Sequence, residues 1–152
     1  MSSNISEPLS KIFDDWLSED RRMHDSLREI RDWMKQVEQL GIPYFGETAN
    51  RLLPLRERLQ KHFQQEDEMI TRLAESLAEP SADFDHLRSQ SLNDHHLLGA
   101  HLDDLVDRLS ETDPPFSSWQ AAMKQVQGFI ERMEQHELTE TRAIEALLQK
   151  LR

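Results

Sequence analysis

Seven histidines and 29 acidic residues in a chain of 152 without cysteine leave imidazole and carboxylate as the groups most able to do chemistry. The arrangement that stands out is His24, His62 with Glu66, His95, and His136 with Glu140. Each lies on the apolar stripe of a segment with helical periodicity. Residues four apart on a helix stand one turn above each other, so His62 with Glu66, and His136 with Glu140, can each present a nitrogen and a carboxylate to one cavity. That spacing alone carries little, because an acidic chain produces it by chance and an exposed pair is an ordinary ion pair. Placement on the apolar stripe gives it weight. Imidazoles and carboxylates are costly to bury singly, and several aimed at one interior imply a shared cation.

The absence of cysteine excludes disulfides, thiolate-bound zinc and iron-sulfur clusters. Four imidazoles and two carboxylates exceed what one tetrahedral zinc takes, and they suit two ions of about five or six coordination with bridging carboxylates. Iron fits this set, with manganese or zinc as alternatives. His95 is preferred to His96 in the third helix because the residues three, seven and ten positions on are Leu98, Leu102 and Leu105, whereas His96 looks onto Gly99 and Asp103. His101 stands six residues from His95, about 240° around the helix, and is poorly placed to join it. His86 reads as a surface residue. Trp16, Trp33 and Trp119 read as packing, Met23, Met69 and Met133 as plugs around the site, and Tyr44 as a loop residue. Asp67, Glu68, Glu134 and Glu137 fall outward by helical phase.

The elements that must position these groups are four long helices. The first is expected from Pro8 to about Leu40, with Leu9, Ile12, Trp16, Leu27, Ile30, Met34 and Val37 at helical spacing, and Gly41-Ile42-Pro43 ends it. The second carries Leu52, Leu55, Leu59, His62, Phe63, Glu66, Met69, Ile70, Leu73 and Leu77, with Pro54 at a first turn or a bend, and ends before Glu79-Pro80-Ser81. The third, from about Asp83 to Ser110, places Leu92, His95, Leu98, Leu102, Leu105 and Leu109 on one face, and Thr112-Asp113-Pro114-Pro115 closes it. The fourth runs from Trp119 nearly to the end through Met123, Val126, Phe129, Ile130, Met133, His136, Glu140, Ile144, Leu147 and Leu151. Short connections between long helices favour antiparallel neighbours, and the expected fold is all-α, an up-down-up-down four-helix bundle with a metal site in its core. Residues 1–8 are expected to form a flexible lead and 9–152 a single domain.

Height along the bundle axis gives a second test. Counted from Tyr44, His24 lies about twenty residues back and the His62/Glu66 pair about twenty forward, which brings them level. His95 is offset from that pair by roughly three residues, and His136/Glu140 from His95 by roughly seven, so the fourth helix must overhang the third.

A net charge of -11 argues against nucleic acid and anionic membrane surfaces as partners. No apolar run reaches the roughly 18 to 20 residues of a membrane span, and the start lacks a basic segment followed by an apolar one, so a cytoplasmic protein is expected.

These residues resemble the hemerythrin-like family, also called the cation-binding HHE domain. The resemblance spans nearly the whole chain and rests on Arg22-Met23-His24-Asp25-Ser26-Leu27, His62-Phe63-Gln64-Gln65-Glu66, Asp94-His95-His96-Leu97-Leu98 and His136-Glu137-Leu138-Thr139-Glu140. It implies a four-helix bundle holding a di-iron or other dinuclear centre. Oxygen-carrying hemerythrins have a second third-helix His four residues after the first and an Asp five residues after the last-helix His; Gly99 and Thr141 stand there in this chain. By the resemblance, Glu140 replaces that Asp as a bridging ligand, and solvent, His96 or His101 takes the missing imidazole's place. The resemblance implies a non-haem di-iron binding protein that stores, senses or transports iron, or binds oxygen or a related small molecule. The alternatives are a di-iron enzyme acting on oxygen, peroxide or nitric oxide, and a metal-free helical interaction module. The expected partners are metal ions, with dioxygen, nitric oxide or peroxide as small-molecule ligands, and the expected state is a monomer or weak homo-oligomer.

Overall fold

A computed structural model describes residues 7–40 and 45–151, and every regular element among them is a helix. The expected stop at Gly41-Ile42-Pro43, the Tyr44 loop and most of the lead lie outside the described residues. The helices are α1 (Glu7–Glu38), α2 (Phe45–Glu75), α3 (Ala82–Leu109) and α4 (Trp119–Gln149). Each packs on its neighbours in the chain, and α4 returns to pack on α1, giving the antiparallel four-helix bundle. No helix among the described residues is long and apolar enough to cross a membrane.

The helix starts follow capping chemistry. The Ser81 hydroxyl accepts the Phe84 N–H at 3.3 Å and the Ser118 hydroxyl accepts the Ala121 N–H at 3.0 Å, each satisfying a first-turn donor that has no intrahelical partner. Pro8 sits in the first turn of α1, where its missing N–H costs nothing. Pro54 marks no first turn: it lies well inside α2, which begins at Phe45. It removes one rung of the helical ladder, leaving the carbonyl of the exposed Asn50 to solvent.

A row of buried residues on each helix follows a three-four alternation. The innermost row on α1 includes Leu9, Ile12, Trp16, Glu19 and Met23; on α2, Leu52, Leu55, Leu59, His62, Glu66, Met69 and Leu73; and on α4, Val126, Ile130, Met133, Glu137, Glu140 and Ile144, with further buried residues such as Leu27, Phe63, Ile70 and Phe129 flanking it. This is the seam of helices packed at a shallow angle. It corrects one expectation on α3. Leu92 is 47% exposed, and the buried position one turn before His95 is Ser91. The sequence favoured Leu92 by hydrophobicity, but three-four spacing through His95 and Leu98 steps back to Ser91.

The apolar core has two parts. One contains Met23, Leu27, Leu59, Phe63, Leu102, Phe129 and Met133, the other Leu9, Trp16, Met69, Leu73, Phe84, Ile144 and Leu148. Between them lies a buried polar layer of Glu19, His62, Glu66, Ser91, His95, Glu137 and Glu140, to which all four helices contribute.

Candidate metal centre

Each member of this layer occupies a seam position, so the packing that forms the core also drives the polar groups inward. His62 and Glu66 have no exposed surface. The His62 ring sends Nδ1 toward α1, 3.0 Å from Glu19 Oε1, and Nε2 toward α4, 2.7 Å from Glu137 Oε1 and 3.1 Å from Glu66 Oε1. His95 Nε2 lies 3.3 Å from the same Glu66 oxygen and 3.4 Å from Glu140 Oε2. His136 Nε2 lies 2.5 Å from Glu140 Oε2. The Ser91 hydroxyl donates to Glu140 Oε1 at 2.6 Å.

These atoms form two groups whose potential ligand atoms all lie within 4.8 Å of one another: Glu66, His95, His136 and Glu140; and Asp20, His62, Glu66 and Glu137. Glu66 belongs to both. Several of these close approaches are not hydrogen bonds. Both oxygens of Glu66, Oε2 of Glu137, Oε2 of Glu140 and Nε2 of His136 are buried and make no hydrogen bond. An unpaired buried polar atom is costly, and five converging on one layer call for a compensating charge. Nitrogen and carboxylate donors converging from four helices are the donor set a cation takes, and the residues fit one.

Outside the two donor groups, a carboxylate stands behind each imidazole. Nδ1 of His62 pairs with Glu19, Nδ1 of His95 lies 2.9 Å from Asp67 Oδ1, and Nδ1 of His136 lies 3.6 Å from Asp94 Oδ2. All three rings therefore turn Nε2 inward, as carboxylates orient metal-binding histidines elsewhere. Phe63 stacks on His95 with centroids 4.0 Å apart, and His95 meets His136 edge-on at 5.0 Å. A further chain fixes Asp20: Trp16 Nε1 donates to Thr141 Oγ1 at 2.8 Å, and that hydroxyl donates to Asp20 Oδ2 at 2.5 Å.

The electrostatics show how much negative charge converges here. Burial alone would depress the His62 imidazole, but Glu137, Glu19 and Glu66 outweigh it and hold it up to about 12. Burial would likewise depress His95, but Asp67, Glu140 and Glu66 outweigh it and hold it up to about 11. His136 is raised by Glu140 against the same burial effect. Glu140, which burial would push up, is drawn down to about 2 by His136 and His95. Burial, and then Glu137 beside it, lifts Asp20 to about 8; burial and Glu66 raise Glu137. With no metal ion bound, protons on the imidazoles supply the positive charge that the carboxylates attract.

Of the six residues singled out from sequence, the fold brings together five: His62, Glu66, His95, His136 and Glu140. His24 is not among them. Its side chain is 58% exposed, with Nδ1 3.8 Å from Glu134 Oε2. Two physical reasons account for this. The seam of α1 runs through Glu19 and Met23, which rotates His24 off the inner face. The midpoint in sequence between Glu38 and Phe45 also lies before Tyr44, so the His62/Glu66 pair is level with Glu19 and Asp20. On α3 the fold selects His95; His96 is exposed, and His101 turns aside to Arg132, 3.1 Å away. The position facing the layer one turn from His95 is Ser91, not Gly99.

Glu137 and Asp67 correct the outward reading. Glu137 is buried and pairs with His62, while Asp67 backs His95. Glu68 is exposed as expected, and Glu134 holds Arg31 through contacts of 2.6 and 3.2 Å. Glu137 was findable, since Met133, Glu137, Glu140 and Ile144 continue the three-four alternation. Asp20 carried no such signal. The mismatch expected between His95 and the α4 pair does not keep them apart, because the 110–118 connection separates the two helix ends.

Comparison with curated proteins gave no significant match, and neither did comparison with solved structures. The family description "Hemerythrin HHE cation binding domain" matches residues 11–148, a span that takes in nearly all of the four helices and every residue of the polar layer. With its four-helix bundle and a buried donor set suited to a cation, the chain belongs to the hemerythrin HHE cation-binding family.

Proposed function

We propose that this chain holds two metal ions bridged by Glu66, with iron as the working metal, and uses them to store, sense or transport iron or to bind dioxygen or a related small molecule. The observation that carries this reading is Glu66: it belongs to both donor groups, has no exposed surface, and makes no hydrogen bond through either oxygen. One ion would be held by Glu66, His95, His136 and Glu140, the other by Asp20, His62, Glu66 and Glu137. The four carboxylates of the two groups balance two dications when the imidazoles are neutral. Three nitrogens among seven donors make a harder set than the four-imidazole set expected from sequence, which supports iron or manganese over zinc.

Iron held there supplies a position for a small molecule such as dioxygen, nitric oxide or peroxide, and a means of exchanging electrons with it. The protein's own part is geometry and exclusion of water. Glu19, Asp67 and Asp94 orient the imidazoles, Ser91 orients Glu140, and Trp16, Met23, Phe63, Met69 and Met133 cover the layer on both sides.

The test is elemental analysis, with an aerobic absorption spectrum, of untagged protein produced in iron-supplemented medium. Two iron per chain with near-ultraviolet bands of a bridged di-iron centre supports the reading. A folded protein that takes up no stoichiometric metal on reconstitution overturns it.

A further inference from the structure

A cleft between α3 and α4 opens directly onto one side of the polar layer. It has a volume of about 340 Å³, far more than a diatomic molecule fills, and its walls reach Ser91, His136 and Glu140. Two of these are side chains at least nine-tenths buried that present an atom without a hydrogen bond: His136 through Nε2 and Glu140 through Oε2. The third, Ser91, is smaller than the histidine or leucine that the seam could have carried, and its hydroxyl is committed to Glu140. The cleft therefore lies where Ser91 leaves room beside the His136/Glu140 donors.

The walls are graded. Arg132 lies one turn before His136 on α4 and is the only Arg or Lys lining the cleft. It makes no ion pair among the described residues, its partner being His101 Nδ1 at 3.1 Å, an imidazole held toward its neutral form by burial and by Arg132 itself. Beyond Glu140, at the other end, stand Leu87 and Ala143; Leu98 adds an apolar wall one turn past His95, and Gln90, Gln135 and Thr139 add amide and hydroxyl groups. Asp94 and Glu140 are the only acidic groups on the wall, and Asp94 is engaged with His136 Nδ1. With Asp94 turned to His136 and Glu140 given to the cation group, the Arg132 guanidinium is left to meet a single negative charge, and the two carboxylates disfavour a dianion.

We propose that this cleft binds a short-chain monocarboxylate, with its carboxylate between Arg132 and the cation held by His136 and Glu140 and its alkyl part against Leu87 and Ala143. The proposal rests on the cation-binding reading above. Arginine recognises carboxylate by charge-assisted hydrogen bonds, and the apolar end of the cleft adds the preference for an alkyl chain over a bare anion.

The test is calorimetric titration of butyrate and of formate into zinc-loaded protein, with metal content measured on every sample. Wild-type protein binds butyrate more tightly than formate, and metal-free protein binds neither. Arg132→Gln weakens butyrate binding by about tenfold or more with metal content unchanged. Ala143→Leu fills the alkyl end and weakens butyrate while sparing formate, with helicity unchanged by circular dichroism. Fully metal-loaded protein that ignores butyrate, equal affinity in Arg132→Gln, undiminished butyrate affinity in Ala143→Leu, or equal binding to metal-free protein each overturns this proposal and leaves the metal reading standing. Wild-type protein without stoichiometric metal overturns both.

Discussion

His62 Nε2 and Glu137 Oε1 meet at 2.7 Å across the diagonal of the bundle, joining α2 to α4, two helices that are not neighbours in the ring. The contact stands beside a division of labour on α4, where Glu137 falls in the second donor group and Glu140 in the first.

Glu137→Gln is therefore expected to lower metal content from two ions per chain to one, Glu140→Gln to do the same at the other group, and Glu66→Ala to remove both. Elemental analysis on reconstituted protein separates the three. Two ions retained by Glu66→Ala would exclude the bridge.

His24 provides the control. His24→Ala changes an exposed residue and should leave metal stoichiometry unaltered and stability within about 0.5 kcal/mol of wild type. His62→Ala and His136→Ala should each cost metal. Loss of an ion in His24→Ala would return that residue to the site.

Ser91→Ala removes the hydroxyl that donates to Glu140 Oε1 at 2.6 Å. Metal-free protein should lose about 1 kcal/mol of stability in denaturant, the usual magnitude for a hydrogen bond with a partner left in place. Ser91→Thr keeps the donor and should restore most of the loss, whereas equal loss in both variants would point to packing alone.

The metal-free protein should become less stable as pH rises above neutrality. His62 and His95 titrate in the folded state at about 12 and about 11, above their ordinary value of 6.5, so their stabilisation is complete below 6.5 and fades as pH climbs toward those values. Asp20, raised from 3.8 to about 8, acts with the same sign across that interval, because its ionised form is disfavoured in the folded chain. Glu140, lowered from 4.5 to about 2, stabilises above 4.5 and fades as pH falls toward 2. Thermal unfolding should thus show a maximum at roughly pH 4 to 4.5 for metal-free protein, with a decline carried first by Asp20 and steepening above 6.5 as the histidines join it. Metal displaces the imidazole protons, so its binding should release protons, strengthen with pH and remove the alkaline decline. Metal affinity independent of pH between 6 and 8 would contradict the assignment of imidazole ligands.

Much of this protein was legible before folding was considered. The lengths of the four apolar stripes, the Pro and Ser signals between them and the scarcity of glycine determined four helices and their antiparallel order. His62, Glu66, His95, His136 and Glu140 were visible because each sits on a long stripe whose phase is set by many leucines, so a single polar residue cannot mislead. Glu137 was legible in principle from the three-four alternation, and hydrophobicity alone obscured it, as it made Leu92 look like the better seam residue than Ser91.

The first helix is where the sequence ran out. Glu19, Asp20, Met23 and His24 lie within an arc of about 140° around α1, and which of them faces the layer depends on the helix's rotation and height against α2 and α4. Those quantities come from packing Trp16 and Leu27 against the rest of the core and from where the α1–α2 connection is centred. Neither is a local property of the chain. That nitrogen and carboxylate donors of the helices would be buried together was written in the apolar stripes; that α1 contributes carboxylates there in place of an imidazole followed from how the helices pack, because a shift of one residue turns a side chain by about 100° and exchanges core for solvent.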